Sequence, residues 1–452
     1  MYLGDIMAII LKQKSNNTHH HAPPRPCIQC GGAFKTFNMR ILLFPSIVLL
    51  CCTLSCGKPE EVVGPPPPPP CFCEGCCDTS LLKPIWAKPI SDDTADYICM
   101  SPLPFGDKVL FSQLFFDENK EFLKMRDAYT GELLWEWRDQ ILPGTAPVGT
   151  NGTVKIKDNI IVSHWRRIYC IDANTGQTKW LTSLTGPNQR GEPHISAIGD
   201  YVYHSHFDSI ILNKNTYLVR AHYATGKWDT LFNVYKTDGY EGGFEPPGFG
   251  LDANGDTILF FQHRQWNFKM NDGRVDLYAY NLRTRSLIWN IQDQDPSGDS
   301  GVQPPLCFGQ YMFFFGIETL FCYDAATGLL VWKKEFDFPG QVYSKYALLL
   351  DGVLYINPSN QKFLYAFDVP TGNILWQTNI NGSGEGEIHH YNGKIYLNSD
   401  FRFVCVEAAT GKLLWQTYNP VRRDNYQEFT IDPVSGILYG HDFYFASAVQ
   451  LK

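Results

Sequence analysis

A nine-residue pattern, Asp-Ala-x-Thr-Gly-x-x-x-Trp, recurs along this chain and limits its fold more than any other feature. It is complete three times, as Asp127, Gly131 and Trp135, as Asp172, Gly176 and Trp180, and as Asp324, Gly328 and Trp332. A fourth copy (Asp368, Gly372, Trp376) has Val369 in the second place, and a fifth (Glu407, Gly411, Trp415) has Glu for Asp. Two worn copies lie between them: His222 to Trp228, with the Trp displaced, and Asn281 to Trp289, with Arg285 where Gly stands elsewhere. Spacings between successive glycine positions are 45, 50, 59, 43, 44 and 39 residues. A repeat of this kind settles the architecture before any local reading does.

Each unit has a readable chemistry. The residues before the Asp alternate and are apolar or aromatic, as in Ile168 to Ile171 or Leu364 to Phe367, so they form a strand. Asp accepts backbone amides just downstream and starts a turn. Gly supplies the positive φ of a tight hairpin. The return strand opens on a Trp, expected to wedge between neighbouring sheets with its indole N–H bonded. A second tight turn lies upstream, as at Asp351-Gly352 and Asn392-Gly393. Four short strands per unit of about 40 to 45 residues is the mark of a β-propeller.

The ends of the repeat region set the blade count. Seven units carry the Thr-Gly turn or its relic. After Trp415 come three strand-like runs, at 428–431, 436–440 and 445–451, and then the chain stops. At the other end, 84–90 contains Trp86 without a preceding repeat. The expected fold is therefore all-β, an eight-bladed propeller over 81–452 in which the N-terminal strand completes the last blade. Closure of this kind leaves no free sheet edge at the join.

The Asp-x-x-Thr-Gly-x-x-x-Trp unit resembles the repeat of the quinoprotein (PQQ-type) β-propellers. It lacks the Trp-Asp strand ending of WD-type blades. Within that group the chain is similar to the eight-bladed lipoprotein subunit of the outer-membrane β-barrel assembly machinery. That resemblance implies a cofactor-free, lipid-anchored scaffold that docks to barrel-assembly proteins. The competing implication is a quinoprotein dehydrogenase, which needs a stacked quinone, a calcium and an Asp base. No haem Cys-x-x-Cys-His and no vicinal cysteine pair within the ring are present, and the blades carry almost no large insertions. The expectation is thus a non-enzyme without cofactor or bound metal. A surface glycan-binding or adhesion propeller is the other alternative.

Residues 1–38 hold a His triplet and Cys27-x-x-Cys30 and read as upstream sequence not native to the protein, with Met39 as the start. Residues 39–56 read as a lipoprotein signal peptide: a positive start, an apolar run of about fourteen residues, then Thr53-Leu54-Ser55-Cys56. Cys56 is the expected lipid-attachment site, which implies an outer-membrane lipoprotein on the periplasmic or cell-surface face. Residues 57–80 read as a tether, with Pro65 to Pro70 as a stiff polyproline rod. Cys71, Cys73, Cys76 and Cys77 are expected to pair locally, with zinc or copper as the other reading. Cys76-Cys77 is similar to the vicinal disulfide of quinoprotein dehydrogenases, but it precedes the ring.

Within the ring, Cys170, Cys322 and Cys405 share one repeat position with Ala279 and Ala366, so they read as small buried apolar groups. Cys99 and Cys307 stand alone. His204 with His206, and His389 with His390 after Glu385 and Glu387, are candidates for a channel or metal, but hydrogen-bonded or solvated roles are expected. Residues 295–300 carry oxygen donors without a full calcium-loop pattern.

A net charge of −8 and the lack of a basic stripe argue against a nucleic-acid partner. The expected partners are envelope or outer-membrane proteins, bound by a monomeric ring held to the membrane through its lipid. Blades three and four are swollen. Their extra residues, 233–250 and 263–274, read as long loops rich in aromatics. Tyr235, Tyr240, Phe244, Phe249, Arg264, Trp266 and Phe268 are the candidate partner surface, unless they fold back over the ring.

Overall fold

The computed structural model describes residues 82–451 except 90–96, 99–100, 116–119, 140–151, 165–166, 184–188, 209–214, 236–239, 241, 268–269, 271, 295–303, 337–346, 359–361, 383–386, 400–401, 419–427 and 442–444. The upstream segment, the signal peptide with Cys56, and the tether with its cysteine cluster lie outside these residues. So do Cys99, Phe268, Glu385 and the 295–300 loop.

Thirty-three strands and no helix occur among the described residues. They form eight antiparallel sheets, the blades of a β-propeller. In chain order the blades span 97–137, 153–183, 189–235, 248–291, 306–335, 347–379 and 389–418. The eighth joins 428–450 to Pro84–Pro89. Pro84–Pro89 pairs antiparallel with Phe445–Gln450, with Trp86 opposite Ala448 and Ala87 opposite Ser447. The first strand of the ring region thus completes the last blade. First strands of neighbouring blades meet between blades two and three, four and five, and seven and eight, which marks the first strand as the inner edge. Each blade's fourth strand, carrying the Trp, is the outer edge.

The repeat motif closes the hairpin between strands three and four. The Asp127 carboxylate accepts the amides of Tyr129 and Thr130 at 3.0 and 2.8 Å. Asp172 repeats this with Asn174 and Thr175. In the worn fourth blade Asn281 substitutes, accepting Arg283 and Thr284 at 2.9 Å each. A side-chain oxygen at this place is the requirement, and Asn meets it.

At six of the eight seams a Trp fastens one blade to the next. Trp135 donates to the carbonyl of Ala173, Trp332 to Val369 and Trp376 to Ala408, at 2.9 to 3.1 Å. Trp86 makes the same bond to Ala128 and so locks blade eight to blade one. The indole face lies on the turn glycine of the following blade. A Cβ at Gly372 would sit 2.6 Å from the Trp332 ring, and one at Gly411 2.5 Å from Trp376. Glycine is needed there for space as well as for its positive φ. The Trp also explains the small position. Trp180, Trp332 and Trp415 stand directly across the ladder from Cys170, Cys322 and Cys405, and Trp289 and Trp376 from Ala279 and Ala366. The three thiols are buried and free. Burial pushes those of Cys170 and Cys405 up to about 11, so they are packing groups and not nucleophiles.

Among the described residues two seams lack the lock: between blades seven and eight Tyr391, not Trp415, lies against the turn glycine Gly436, and between blades three and four both halves of the lock are gone. Blade three has Thr230 where the Trp belongs, and blade four has Arg285 where the Gly belongs. The two losses go together because no indole remains for a Cβ to strike. Asp229 instead takes an ion pair from Arg285 and another from Arg220 at 2.9 Å. Arg285 keeps a φ of 54°, which a non-glycine residue adopts at some cost. Arg285→Gly is expected to change stability by no more than about 1 kcal/mol, relief of strain offsetting loss of a half-exposed ion pair. Urea melts in low and high salt check this, since the ion-pair contribution of Arg285 shrinks with salt and the variant should gain relative to wild type.

Candidate functional site

The loop face of blades three and four departs most from the plain repeat. The expected loop at 263–274 is mostly strand. Thr257–Asn267 and Asp272–Asn281 form a long second-to-third-strand hairpin that outreaches those of blades five to seven. Ladder pairing continues to Asn267 opposite Asp272 because the sequence keeps alternating, and Gly273 lies across from Trp266.

The connection from blade three packs against that hairpin. Gly242 lies so close to the Arg264 carbonyl that a Cβ would overlap it. Phe244 forms a bridge with His263 and extends the innermost strand of blade four. Its ring is fully buried among Phe261, Tyr278 and Phe232. Four hydrogen bonds then cross to blade three or hold its edge. Ser205 Oγ accepts the Phe244 amide at 2.8 Å, and Thr216 donates to the Gly242 carbonyl at 3.1 Å. Ser196 donates to the Pro247 carbonyl at 3.0 Å, and Thr216 Oγ1 lies 3.2 Å from His263 Nε2.

Glu245 is the electrostatic centre of this strap, 3% exposed. Arg264 donates to it at 2.9 Å, and His194, on the inner strand of blade three, lies at 3.3 Å. Burial pushes the carboxyl up, but His194 and Arg264 outweigh it and hold the group below the ordinary glutamate range. A depressed folded-state value stabilises above the unfolded value, about 4.3, and that stability is lost as pH falls further. Glu245→Gln is expected to cost about 1.5–3 kcal/mol at pH 7. The gap between variant and wild type should close as pH falls from about 5 to 3, read by urea unfolding across that range.

The sequence-derived surface residues divide into three groups. Tyr240, Phe244, Arg264 and Trp266 come together on the strap and hairpin. Tyr240 hydroxyl donates to Asp272, and Trp266 is half-buried. Phe244 is core and presents nothing to solvent. Tyr235 ends the outer strand and is 78% exposed, while Phe249 lies exposed on the inner strand Gly248–Leu251, away from the others. Phe268 lies outside the described residues. Among the described residues, 263–267 and 272–274 are paired strand and 242–247 pack against them as a buried strap. Sequence reading missed Glu245 and His194. Its one available signal was a carboxylate inside Gly-Gly-Phe-Glu-Pro-Pro, a stretch too constrained for a loose loop.

The candidate histidines lie within strands of blades three and seven. His204 and His206 are buried rather than solvated, with His206 stacked on Tyr217 at 4.8 Å. His389 lies on an inner strand against Phe429 at 4.6 Å, with Glu387 at 3.4 Å. Ser101 of blade one lies within hydrogen-bond distance of both Glu387 and Glu428, at 2.7 and 3.0 Å, tying blades one, seven and eight at the inner rim. No group of three or more His, Cys, Asp or Glu side chains among the described residues is placed to hold a metal ion.

Comparison with known proteins agrees with this architecture. The family model described as "Outer membrane protein assembly factor BamB" matches residues 271–448. The ring is a PQQ-like propeller that resembles that family. The chain is 25% identical over 288 residues to tetrathionate hydrolase of Acidithiobacillus ferrooxidans, covering 56% of this chain and 54% of that protein. It is 29% identical over 108 residues to the dehydrogenase subunit of the quinone alcohol dehydrogenase of Gluconobacter oxydans, covering 21% and 14%. The chain thus spans about half of the first relative and much less of the second. Among solved structures, the designed protein Ika8 aligns with a TM-score of 0.57 at 13% identity, over 79% of this chain and 96% of its own. Sqt1 of Saccharomyces cerevisiae aligns with 0.57 at 9% identity, over 80% and 98%. These two likenesses are of fold alone.

Proposed function

We propose that this chain is a non-catalytic, lipid-anchored scaffold of the bacterial cell envelope that binds proteins during outer-membrane protein assembly. The observation that carries this reading is the match of 271–448 to an outer-membrane assembly family. The blade three and four platform supports it, since a hairpin braced by Phe244 and Glu245 loses little entropy on binding. Trp266 is the anchor of that platform, Tyr235 at the end of the outer strand of blade three is a separate exposed contact, and Cys56 carries the lipid. The partner is an envelope protein, and neither cofactor nor metal takes part.

The test is co-purification from detergent-solubilised envelope, using wild type, Trp266→Ala and Tyr235→Ala as baits. Recovery of barrel-assembly proteins by wild type and their loss with Trp266→Ala supports the reading. Equal recovery by all three removes the platform, and no recovery of assembly proteins removes the function. Point variants are preferable to excising 236–248, because that excision would take Phe244 and Glu245 out of the ring.

A catalytic reading is favoured by one observation, the partial identity to a hydrolase and a quinone dehydrogenase. Purified protein assayed for tetrathionate hydrolysis, and for dye-linked alcohol oxidation with added quinone and calcium, separates the two. Turnover in either assay would reverse the preference.

A further inference from the structure

Each seam between blades is apolar toward the turn face and ends toward the loop face on one side chain of the second strand. The clusters fix which residues enter which seam. In blade six Leu354 and Ile356 pack with Phe313 of blade five, whereas Tyr355 packs with Ile388 and Ile395 of blade seven. Alternation then sends Asn357 toward blade seven. The equivalent residue is polar and buried in seven blades and apolar only in blade five, where it is Phe315. A polar group recurring at one depth of a hydrophobic seam is a site rather than an accident of packing.

Some of these groups are bonded within the protein, as Ser205 is to the Phe244 amide. Two are not. Asn357 is 0% exposed, and neither its Nδ2 nor its Oδ1 meets a hydrogen-bond partner among the described residues. Ser163, toward the seam of blades two and three, is equally buried and its Oγ is likewise unmet. A buried amide with both ends unmet costs more than an ordinary hydrogen bond contributes, so native structures satisfy such groups. A primary amide offers donors and an acceptor together, which suits a small molecule able to do both. We propose that the seam between blades six and seven binds a structural water at Asn357, and that the seam between blades two and three binds another at Ser163. The blade five seam, closed by Phe315 within the Phe336 and Phe367 cluster, is dry.

The experiment is a crystal structure of the wild-type chain at a resolution that places waters, together with melting of Asn357→Leu. Density for a water within hydrogen-bond distance of Asn357 Nδ2 or Oδ1 is expected, with none beside Phe315. Asn357→Leu expels that water and strands its other partners, so Tm falls by several degrees. A dry Asn357 would overturn the proposal, as would a rise in Tm, because leucine then replaces two unmet polar atoms. Should the variant fail to fold, the wild-type density decides alone.

Discussion

Trp376→Ala is expected to destabilise the ring by about 3–5 kcal/mol, the usual cost of deleting a packed indole. The loss has three parts. The indole N–H bond to the Ala408 carbonyl disappears, the face over Gly411 empties, and Ala366 loses its partner across the ladder. Gly411→Ala is expected to cost about 1–3 kcal/mol by overpacking against that same ring, with more from its φ of 74°. Together the two substitutions should cost less than their sum, because the ring that Cβ strikes is gone. Blade three and blade four already carry such a double change, Thr230 with Arg285. Urea unfolding of the three variants checks it, and strict additivity would mean that the lock is not a contact.

Removal of residues 1–90 should do more damage than any single substitution. Blade eight would keep three strands, and Phe445–Gln450 would become an unpaired edge. Trp86 would leave Phe111, Ala128 and Tyr439 uncovered, which by itself costs about 3–5 kcal/mol. Leu82 would leave the cluster around Phe403 and Phe429. The truncated chain is expected to lose its cooperative thermal transition and to associate through the exposed edge. Addition of a peptide covering 82–92 should restore part of the transition. A truncated chain that melts like wild type would mean that the strand merely decorates the ring.

The fold was legible because its determinants are local and repeated. Asp, Gly and Trp each act within one hairpin or on its immediate neighbour, so seven noisy copies reinforce one another. Even the damage was readable, since Arg285 and the displaced Trp228 fall on one seam. The reason for the small position was not legible: Cys170 and Ala366 are small because a bulged register puts Trp across from them, and register is not written in composition. The platform was harder still. Phe244 and Tyr235 look alike in sequence, yet one is core and the other solvent-exposed. What separates them is contact with Phe261 and Tyr278, which comes from the strand extension that sequence took for a loop. Glu245 depends on His194 and Arg264, one of them 51 residues away along the chain, and no period connects them.

Closure of the circle is most directly tested by a double substitution, Ala87→Cys with Ser447→Cys, across a directly opposed pair in the joining ladder. Opposed residues there meet the Cα spacing that a disulfide needs. After mild oxidation and proteolysis, mass spectrometry should find the peptide holding position 87 joined to the one holding position 447, separable by reductant. Peptides that stay apart in folded, oxidised protein would contradict an eighth blade shared by the two ends of the propeller.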